Sequence, residues 1–233
     1  TIERNRMTKT LWLSQSDYIR HVLRRFNMKN AKPAPTPLLT SFRLSNRDSP
    51  STNEERDLNG KKPFASIVGS IMYAMVVNRP NLAYVLGVGS RYMSTLGQKH
   101  SEDVKNIFKI YEESNMTTNF QINQPTVVEG YTDSDYAENP ENQKSTSGYI
   151  VNYGGDTISW RLKLQECTAL STTKAKYIIM SHATKEAIWL RRLSADFSSK
   201  CKIDHPTSTL YCDSQSTIYL IWNPDYHAKI KQI

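Results

Sequence analysis

The chain of 233 residues lacks the features that define several classes of protein. Its three cysteines are scattered, at positions 167, 201 and 212, and no CxxC pair or cysteine–histidine cluster occurs. This spacing argues against a structural zinc site and a disulfide framework. It indicates a reducing, intracellular location, in the cytoplasm or the nucleus. No apolar run approaches the roughly 18 residues that a membrane helix needs, and no signal peptide is recognisable. We therefore expect no membrane partner.

Positive charge is concentrated in the first half of the chain. The formal net charge is +8, and residues 1–125 hold 18 Lys and Arg against 10 Asp and Glu, whereas residues 126–233 hold 12 of each. Lys and Arg displace condensed counterions from phosphates, so the asymmetry favours a nucleic-acid partner. An ordinary solvated basic surface explains the composition equally well.

An amphipathic helix is predicted near the start of the chain. Ser14 can cap it, with Asp17 three residues on. The residues at helical spacing on its apolar side are Ile19, Val22, Leu23 and Phe26. Arg20, Arg24 and Arg25 then occupy the other side and can follow a phosphate backbone. A surface helix with no ligand fits the same pattern.

The remainder of the first half predicts a small helical unit. Prolines at positions 33, 35 and 37 favour an extended connector, and the polar stretch 45–62 predicts a loop with about one turn of helix. Helices are predicted over residues 63–78, from about residue 80, and over residues 101–112. The apolar positions of the first two are Ile67, Val68, Ile71, Met72, Met75, Leu82, Val85, Leu86 and Met93.

The pattern changes to strands beyond a boundary at residues 121–125. Strands are predicted over residues 126–133, 148–153 and 157–162, the last two joined by a glycine turn. A long helix over residues 172–197, a strand ending at Asp213 and a second helix follow. The apolar face of the long helix is formed by Ala175, Ile179, Ala183, Ala187, Leu190 and Leu193.

Two aspartates, Asp133 and Asp213, each occur at a predicted strand. An ionised carboxylate in a sheet is unfavourable unless a cation or hydrogen-bond donors satisfy it. Two such carboxylates can share a divalent metal, because Mg2+ takes a few carboxylate oxygens and keeps several waters. The alternative is that each aspartate ends a strand and caps the next element.

Several blocks of sequence carry a resemblance to a known family. The blocks YTDSDYAENPENQKSTSGYIVNYGGDTISW, LQECTALSTTKAKY, AIWLRRL, LYCDSQS and NPDYHAKIKQI closely resemble, in order and spacing, the ribonuclease H domain of copia-type LTR retrotransposon Pol polyproteins. The earlier blocks LWLSQSDYIRHVLRRFNMKNAKPAPTPL and GSIMYAMVVNRPNLAYVLGVGSRYMS resemble the reverse transcriptase segment that follows the polymerase active site. Nearly the whole chain is covered.

The resemblance implies an α+β fold. Residues 1–124 are expected to form the C-terminal, thumb- or connection-like region of a reverse transcriptase. Residues 125–233 are expected to form a C-terminally truncated ribonuclease H-like domain with an α/β mixed sheet. The implied partners are an RNA:DNA hybrid or other nucleic acid and the rest of a reverse transcriptase. No YVDD-like polymerase motif occurs in the sequence, so we do not expect DNA synthesis by this chain alone.

The chemistry that the resemblance implies is hydrolysis of the RNA strand of a hybrid by two Mg2+ or Mn2+ ions. In the family, four carboxylates hold the metals about 4 Å apart, so that one activates water and the other stabilises the leaving oxygen. Asp133 matches the first carboxylate and Asp213 matches the third. Asp135 is a weaker candidate on the same face as Asp133.

This sequence departs from the family at the other two carboxylates. The family reads TEAEY at the start of the long helix, with the second Glu as a ligand, but this chain reads TKAKY. Lys176 therefore replaces the ligand, and an ammonium has no acceptor for a cation. We expect Lys176 to form an ion pair with Asp133 and Asp213 in the metal position. The fourth carboxylate would follow the string HAKIKQI, after which this sequence ends at Ile233.

Three hypotheses follow for the function. The first is a metal-dependent ribonuclease H, which Lys176 opposes and in which His227 would lie near the active-site edge. The second is a catalytically inactive nucleic-acid-binding module, in which Lys174 and Lys229 join the helix arginines as phosphate contacts. The third is a transposon relic without a selected role. Remnant architecture is the reading that the residues favour most, and current catalysis the least.

Overall fold

The chain folds as two compact units, Thr1–Asn119 and Phe120–Ile233. A computed structural model describes residues 1–28, 49–50, 52–60, 63–93, 118–121, 127–201 and 208–223. These residues form two sheets and six helices, so the predicted mixture of α and β structure is confirmed. The division lies a few residues before the predicted boundary at 124/125. None of the helices in these ranges is long and apolar enough to cross a membrane.

The first unit combines helices with a small sheet. Its described elements are β1 (Ile2–Asn5), β2 (Thr10–Leu13), α1 (Ser16–Arg25), α2 (Asn53–Gly60), α3 (Phe64–Asn78), a 3-10 turn (Pro80–Leu82), α4 (Ala83–Arg91) and β3 (Thr118–Gln121), whose first two residues end the unit. The sheet order is β1-β2-β3, with β1 and β2 antiparallel.

The small helical unit predicted here also contains a sheet, which was not predicted. The sequences of β1 (IERN) and β2 (TLWL) do not show the strict alternation of apolar and polar residues that predicts a strand. The hairpin depends instead on its turn, where the Asn5 side chain accepts hydrogen bonds from the backbone N–H groups of Met7 and Thr8. Lys9 completes the turn with a positive φ of 52°. Asn is well suited to such a turn, because its side chain replaces a backbone acceptor.

The core of the first unit joins α1 to α3 and α4. The buried residues at its centre are Ile19, Val22, Leu23, Phe64, Val68, Ile71, Ala74, Leu82, Val85 and Leu86. Two predicted core positions were wrong, since Met72 is 38% exposed and Met93 is 40% exposed. Helical spacing assigns neighbours such as Ile71 and Met72 to one face, but only Ile71 meets the core.

Helix boundaries in the first unit also differ from the predictions. Helix α1 is preceded by Gln15, not by a capping Ser14, whose hydroxyl instead accepts a hydrogen bond from the Ser16 N–H at 3.3 Å. Helix α2 has eight residues where about one turn was expected. The helix predicted over residues 101–112 lies outside the described residues.

The second unit is a mixed sheet with two helices. Its elements are β4 (Val128–Ser134), β5 (Thr146–Tyr153), β6 (Asp156–Leu164), α5 (Thr172–Cys201), β7 (Ser208–Cys212) and α6 (Gln215–Trp222). The sheet order is β6-β5-β4-β7, antiparallel except for the parallel pair β4–β7. The predicted order of three strands, helix, strand and helix is confirmed.

Helix α5 covers one face of this sheet. Ile179, Ala183, Ala187 and Leu190 pack against Val128, Tyr149 and Val151. The alanines lie one turn apart and let the helix approach the strands closely. Leu193, predicted as the end of this face, is 36% exposed and does not belong to the core cluster that contains Leu190. The glycine turn between β5 and β6 is also as predicted, with φ of 63° at Gly154 and 91° at Gly155.

Replacing Gly69 by alanine should stabilise the first unit. Gly69 lies in α3 on its exposed side, and a Cβ there meets nothing within 4 Å. Alanine loses less conformational entropy than glycine in a helix, so we expect a gain of about 0.5–1 kcal/mol. Urea unfolding followed by circular dichroism measures it.

The matched control is Gly130→Ala in β4. A Cβ at this position would displace the side chain of Leu210, which packs against the buried core, so the variant should lose stability. A loss of stability in Gly69→Ala as well would contradict the open helix surface described above.

Candidate functional site

The two predicted aspartates lie next to each other at the carboxyl ends of two neighbouring strands of the second sheet. Strands β4 and β7 run parallel, and their register pairs Thr132 with Cys212. Asp133 is the next residue on β4, and Asp213 follows directly after β7. Parallel strands that end together bring residues distant in sequence to one place. The sequence pattern therefore identified the two aspartates, and the parallel pairing of β4 with β7 brings their carboxylates together.

The Lys176 ammonium lies between these two carboxylates. Its Nζ is 2.5 Å from Oδ1 and 2.6 Å from Oδ2 of Asp213, and 3.3 Å from Oδ1 of Asp133. The ion pair predicted from the sequence is thus present. The lysine side chain is 17% exposed, whereas the side chains of Asp133 and Asp213 are 80% and 67% exposed. The positive charge is therefore the more enclosed member of the group.

The start of helix α5 holds Lys176 in place. The Ser171 hydroxyl accepts a hydrogen bond from the Lys174 N–H at 3.1 Å, and Gln165 Nε2 donates to the Ala175 carbonyl at 2.9 Å. Thr217 of α6 donates its hydroxyl proton to the Thr173 carbonyl. These bonds tie the first turn of α5 to both neighbouring segments, so the lysine projects from a fixed point of the backbone.

The electrostatics of the pair favour both charged forms. Hydrogen bonds from Lys176 hold the pKa of Asp213 below its ordinary value of 3.8. The bond to Asp213 raises the pKa of Lys176 above 10.5; partial burial opposes this rise, and Asp133 adds to it. The contribution of Asp213 to stability is lost as pH falls through its folded pKa, and that of Lys176 is lost as pH rises through its own. The pair therefore stabilises the unit throughout the neutral range.

The residues present do not fit the two-metal centre that the resemblance implies. Within the described ranges no group of three or more His, Cys, Asp or Glu side chains is arranged to hold a metal ion. The ammonium supplies no lone pair and repels a cation. An Mg2+ ion placed between Asp133 and Asp213 would have to displace Lys176 from its two partners.

Asp135, the weaker candidate, serves the local fold. Its Oδ1 accepts a hydrogen bond from the Thr146 N–H at 2.8 Å. The Asp135 N–H in turn donates to the Thr146 carbonyl at 3.1 Å. Strand β4 ends at Ser134, so Asp135 no longer follows the alternation that would put it on the face of Asp133. The two hydrogen bonds connect the residue after β4 to the first residue of β5.

The predicted nucleic-acid contacts differ in their accessibility. Arg20, Arg24 and Arg25 are exposed on α1, although the Arg20 guanidinium is 2.6 Å from the Asp17 carboxylate. Lys174 is only 8% exposed, so its placement does not present it to a phosphate. Lys174 and Lys176 are two positions apart, and a helix directs residues at this spacing to different sides. The two lysines therefore have different surroundings. His227 and Lys229 lie outside the described residues.

Two tyrosines beside the ion pair were missed in the sequence. Tyr131 of β4 and Tyr211 of β7 are register partners, and their rings stack with centroids 5.0 Å apart and planes 20° apart. They are 46% and 47% exposed. Tyr131 stands two positions before Asp133 within β4, a spacing that places residues on one face of a strand, and Tyr211 stands two positions before Asp213. That shared offset was the available signal.

Comparison with known proteins identifies relatives over the whole chain. It aligns with a segment of the retrovirus-related Pol polyprotein from transposon TNT 1-94 of Nicotiana tabacum, 44% identical over 232 residues and 17% of that protein's length. The retrovirus-related Pol polyprotein from transposon RE2 of Arabidopsis thaliana is 31% identical over 233 residues, 15% of its length. The chain thus spans about one sixth of these relatives.

A shorter relative is matched over most of its own length. Secreted RxLR effector protein 161 of Plasmopara viticola is 40% identical over 130 residues, which are 55% of this chain and 91% of that protein. No family model and no solved structure matches the chain.

These similarities define the class of the protein as retrotransposon-derived. Over its whole length the chain is similar to one segment of retrovirus-related Pol polyproteins from plant transposons.

The coupling between Lys176 and Asp213 should be measurable in a double-mutant cycle. Lys176→Met, Asp213→Asn and the double variant are expected to show a favourable coupling of about 0.5–1 kcal/mol, modest because Asp213 is largely exposed. Chemical unfolding at low salt measures it, and about 1 M salt should reduce it.

The Lys163–Glu166 pair is the matched control. Its side chains are 55% and 85% exposed at 3.0 Å, so the cycle Lys163→Met with Glu166→Gln should give a smaller coupling. If the coupling at Lys176 is no larger than that of this control, the enclosure of its ammonium does not strengthen the ion pair.

Proposed function

We propose that the second unit is a ribonuclease H-like domain of copia-type ancestry that no longer hydrolyses RNA. The order and pairing of its strands, the long helix on one face and the two adjacent aspartates support the ancestry. The observation that carries the loss of hydrolysis is the Lys176 ammonium between Asp133 and Asp213, where the family has a carboxylate and metal ions.

Lysine cannot replace the lost ligand or the metal in catalysis. A divalent ion activates a bound water by lowering its pKa and stabilises the leaving oxygen as a Lewis acid. Lys176 carries a single charge that its partners already neutralise. Its raised pKa keeps it protonated at neutral pH, so it also cannot accept a proton from water as a general base. The site therefore forms an ion pair between Lys176 and the two aspartates but does not activate a water molecule.

A second candidate function is binding of nucleic acid without hydrolysis. The exposed arginines of α1 support it, because the buried residues Ile19, Val22 and Leu23 fix the orientation of that helix and direct Arg24 and Arg25 outward. The stacked tyrosines of the second unit offer further surface, since exposed aromatic rings stack with bases. The expected partner is an RNA:DNA hybrid or a single strand, with the rest of a reverse transcriptase as a protein partner.

The purified chain should not cleave a labelled RNA:DNA hybrid with either Mg2+ or Mn2+. The physical reason is that the Lys176 ammonium contacts both aspartates and repels a divalent ion. Cleavage is measured beside an Asp133→Asn variant, with circular dichroism to show that both proteins are folded. Cleavage that is lost in Asp133→Asn would overturn the proposal, because the two aspartates would then suffice.

A charge-reversed variant is the control for the same experiment. Lys176→Glu places a third carboxylate beside Asp133 and Asp213 and removes the ammonium. We expect this variant to be less stable without metal, because three like charges repel, and to recover thermal stability with Mg2+ or Mn2+. The unmodified chain should show no such response. An equal response of both proteins would mean that Lys176 does not exclude metal.

Hybrid binding should weaken with salt, and the α1 arginines should account for part of the slope. Arg24→Gln with Arg25→Gln is expected to reduce the slope of log K against log salt by about 2, the value for two lost phosphate contacts. Fluorescence anisotropy at several salt concentrations measures it.

The adjacent pair Arg191 and Arg192, exposed on α5, supplies the control with the same change of charge. The same loss of slope in Arg191→Gln with Arg192→Gln would assign binding to net charge alone. Binding that ignores salt would exclude a phosphate interface.

A further inference from the structure

A cavity of about 180 Å³ lies at the edge of the second unit's sheet, between β6 and α5. It is separate from the lysine–aspartate site, since neither aspartate lines it. Strand β6 contributes Arg161 and Lys163, the segment after it contributes Gln165 and Glu166, and α5 contributes Ile178 and His182. The lining therefore combines an apolar wall with several charged groups.

Cationic groups converge on this cavity from two elements. Arg161 and Lys163 are two positions apart on β6, so they project to the same face. His182 faces them from α5, and Lys185 follows one turn later. The pKa of His182 is lowered by partial burial, and then by Arg161, Lys185 and Lys163, with Glu166 opposing. These cations thus lie close enough to disfavour a further positive charge.

The negative charge at the cavity is insufficient to balance them. Glu166 pairs with Lys163 at 3.0 Å, and its side chain is 85% exposed at the rim. The next acidic residue, Glu186, accepts a hydrogen bond from the Ser159 hydroxyl at 2.6 Å. The Arg161 guanidinium makes no ion pair with a residue in the described part of the chain. Convergent cations without a matching anion are the arrangement that binds one.

The floor of the cavity is held rigidly. Gln165 is 7% exposed, and its Nε2 donates to the Ser147 hydroxyl of β5 at 2.5 Å and to the Ala175 carbonyl of α5 at 2.9 Å. The segment between β6 and α5 is therefore tied to both layers of the unit. A site fixed in this way loses little conformational entropy when a ligand binds.

We propose that this cavity binds a phosphate group, supplied either by a small phosphorylated molecule or by a nucleic-acid backbone. The planar guanidinium of Arg161 offers two parallel N–H donors to phosphate oxygens, while Lys163 adds positive charge and the His182 ring offers a further N–H donor. Glu166 competes for Lys163 and weakens the site. The inference goes beyond the loss of hydrolysis proposed above and does not depend on it, since binding here needs no metal and no aspartate.

The test is an NMR titration of the histidine rings in the full chain. The His182 signals are assigned with a His182→Gln variant and followed while inorganic phosphate, a nucleoside monophosphate or a single-stranded oligonucleotide is added. Bound phosphate should raise the pKa of His182, because a nearby anion favours the imidazolium form. Saturation by inorganic phosphate indicates a site for small phosphates, and saturation by the oligonucleotide alone indicates a backbone contact. Either result supports the site.

Variants of opposite sign make the test specific. Arg161→Gln should weaken binding about tenfold, as expected for the loss of a charge-assisted hydrogen bond. Glu166→Gln should tighten binding, because Lys163 is released to the ligand. Arg192→Gln, which removes the same charge ten residues beyond His182 on α5, should change the affinity little.

Two results would overturn the proposal. The first is a His182 pKa that none of the three ligands changes. The second is an equal effect of Arg161→Gln and Arg192→Gln, which would reduce the binding to general electrostatic attraction. If Arg161→Gln fails to fold, the direction of the Glu166→Gln effect decides, since tighter binding supports the site and unchanged or weaker binding excludes it.

Discussion

The parallel pairing of β4 with β7 is the constraint on which the second unit depends. Its register sets Asp133 and Asp213 next to each other at one end of the sheet. Two carboxylates at this spacing repel, modestly because both are largely exposed to water, and a cation between them relieves that repulsion. Helix α5 supplies that cation from within the chain. The buried Ala175, one residue before Lys176, fixes the helix on the sheet and directs the ammonium to the carboxylates.

The sequence predicted the elements of the second unit and its charged centre well, because their signals are local. Strand patterns ending in aspartate, and a lysine at a defined point of a long helix, can be read without knowledge of the tertiary structure. The failures arose where packing decides between equivalent local choices. Met72 and Leu193 satisfy helical spacing as well as their buried neighbours do, but the opposing surface does not reach them. The β1–β2 hairpin depends on the side chain of Asn5, which strand periodicity cannot detect.

The cavity between β6 and α5 was not predictable for a related reason. Arg161 and His182 are far apart in sequence and carry no recognisable spacing, and they meet only because α5 crosses beside the edge strand. The second half of the chain has equal numbers of acidic and basic residues, which conceals a local excess of positive charge. Balanced composition thus gives no information about how charge is distributed on the folded surface.

The ammonium of Lys176 has a thermodynamic consequence that a bound metal ion would not have. A dissociable ion stabilises a fold in proportion to the logarithm of its concentration above the dissociation constant, so its effect varies with the solution around the protein. A cation that is covalently part of the chain has no dissociation step of that kind. Its local concentration is set by the backbone of α5 and is the same in every molecule. The balance of charge at the end of β4 and β7 is therefore inherited through the sequence and is independent of the supply of divalent ions in the cell.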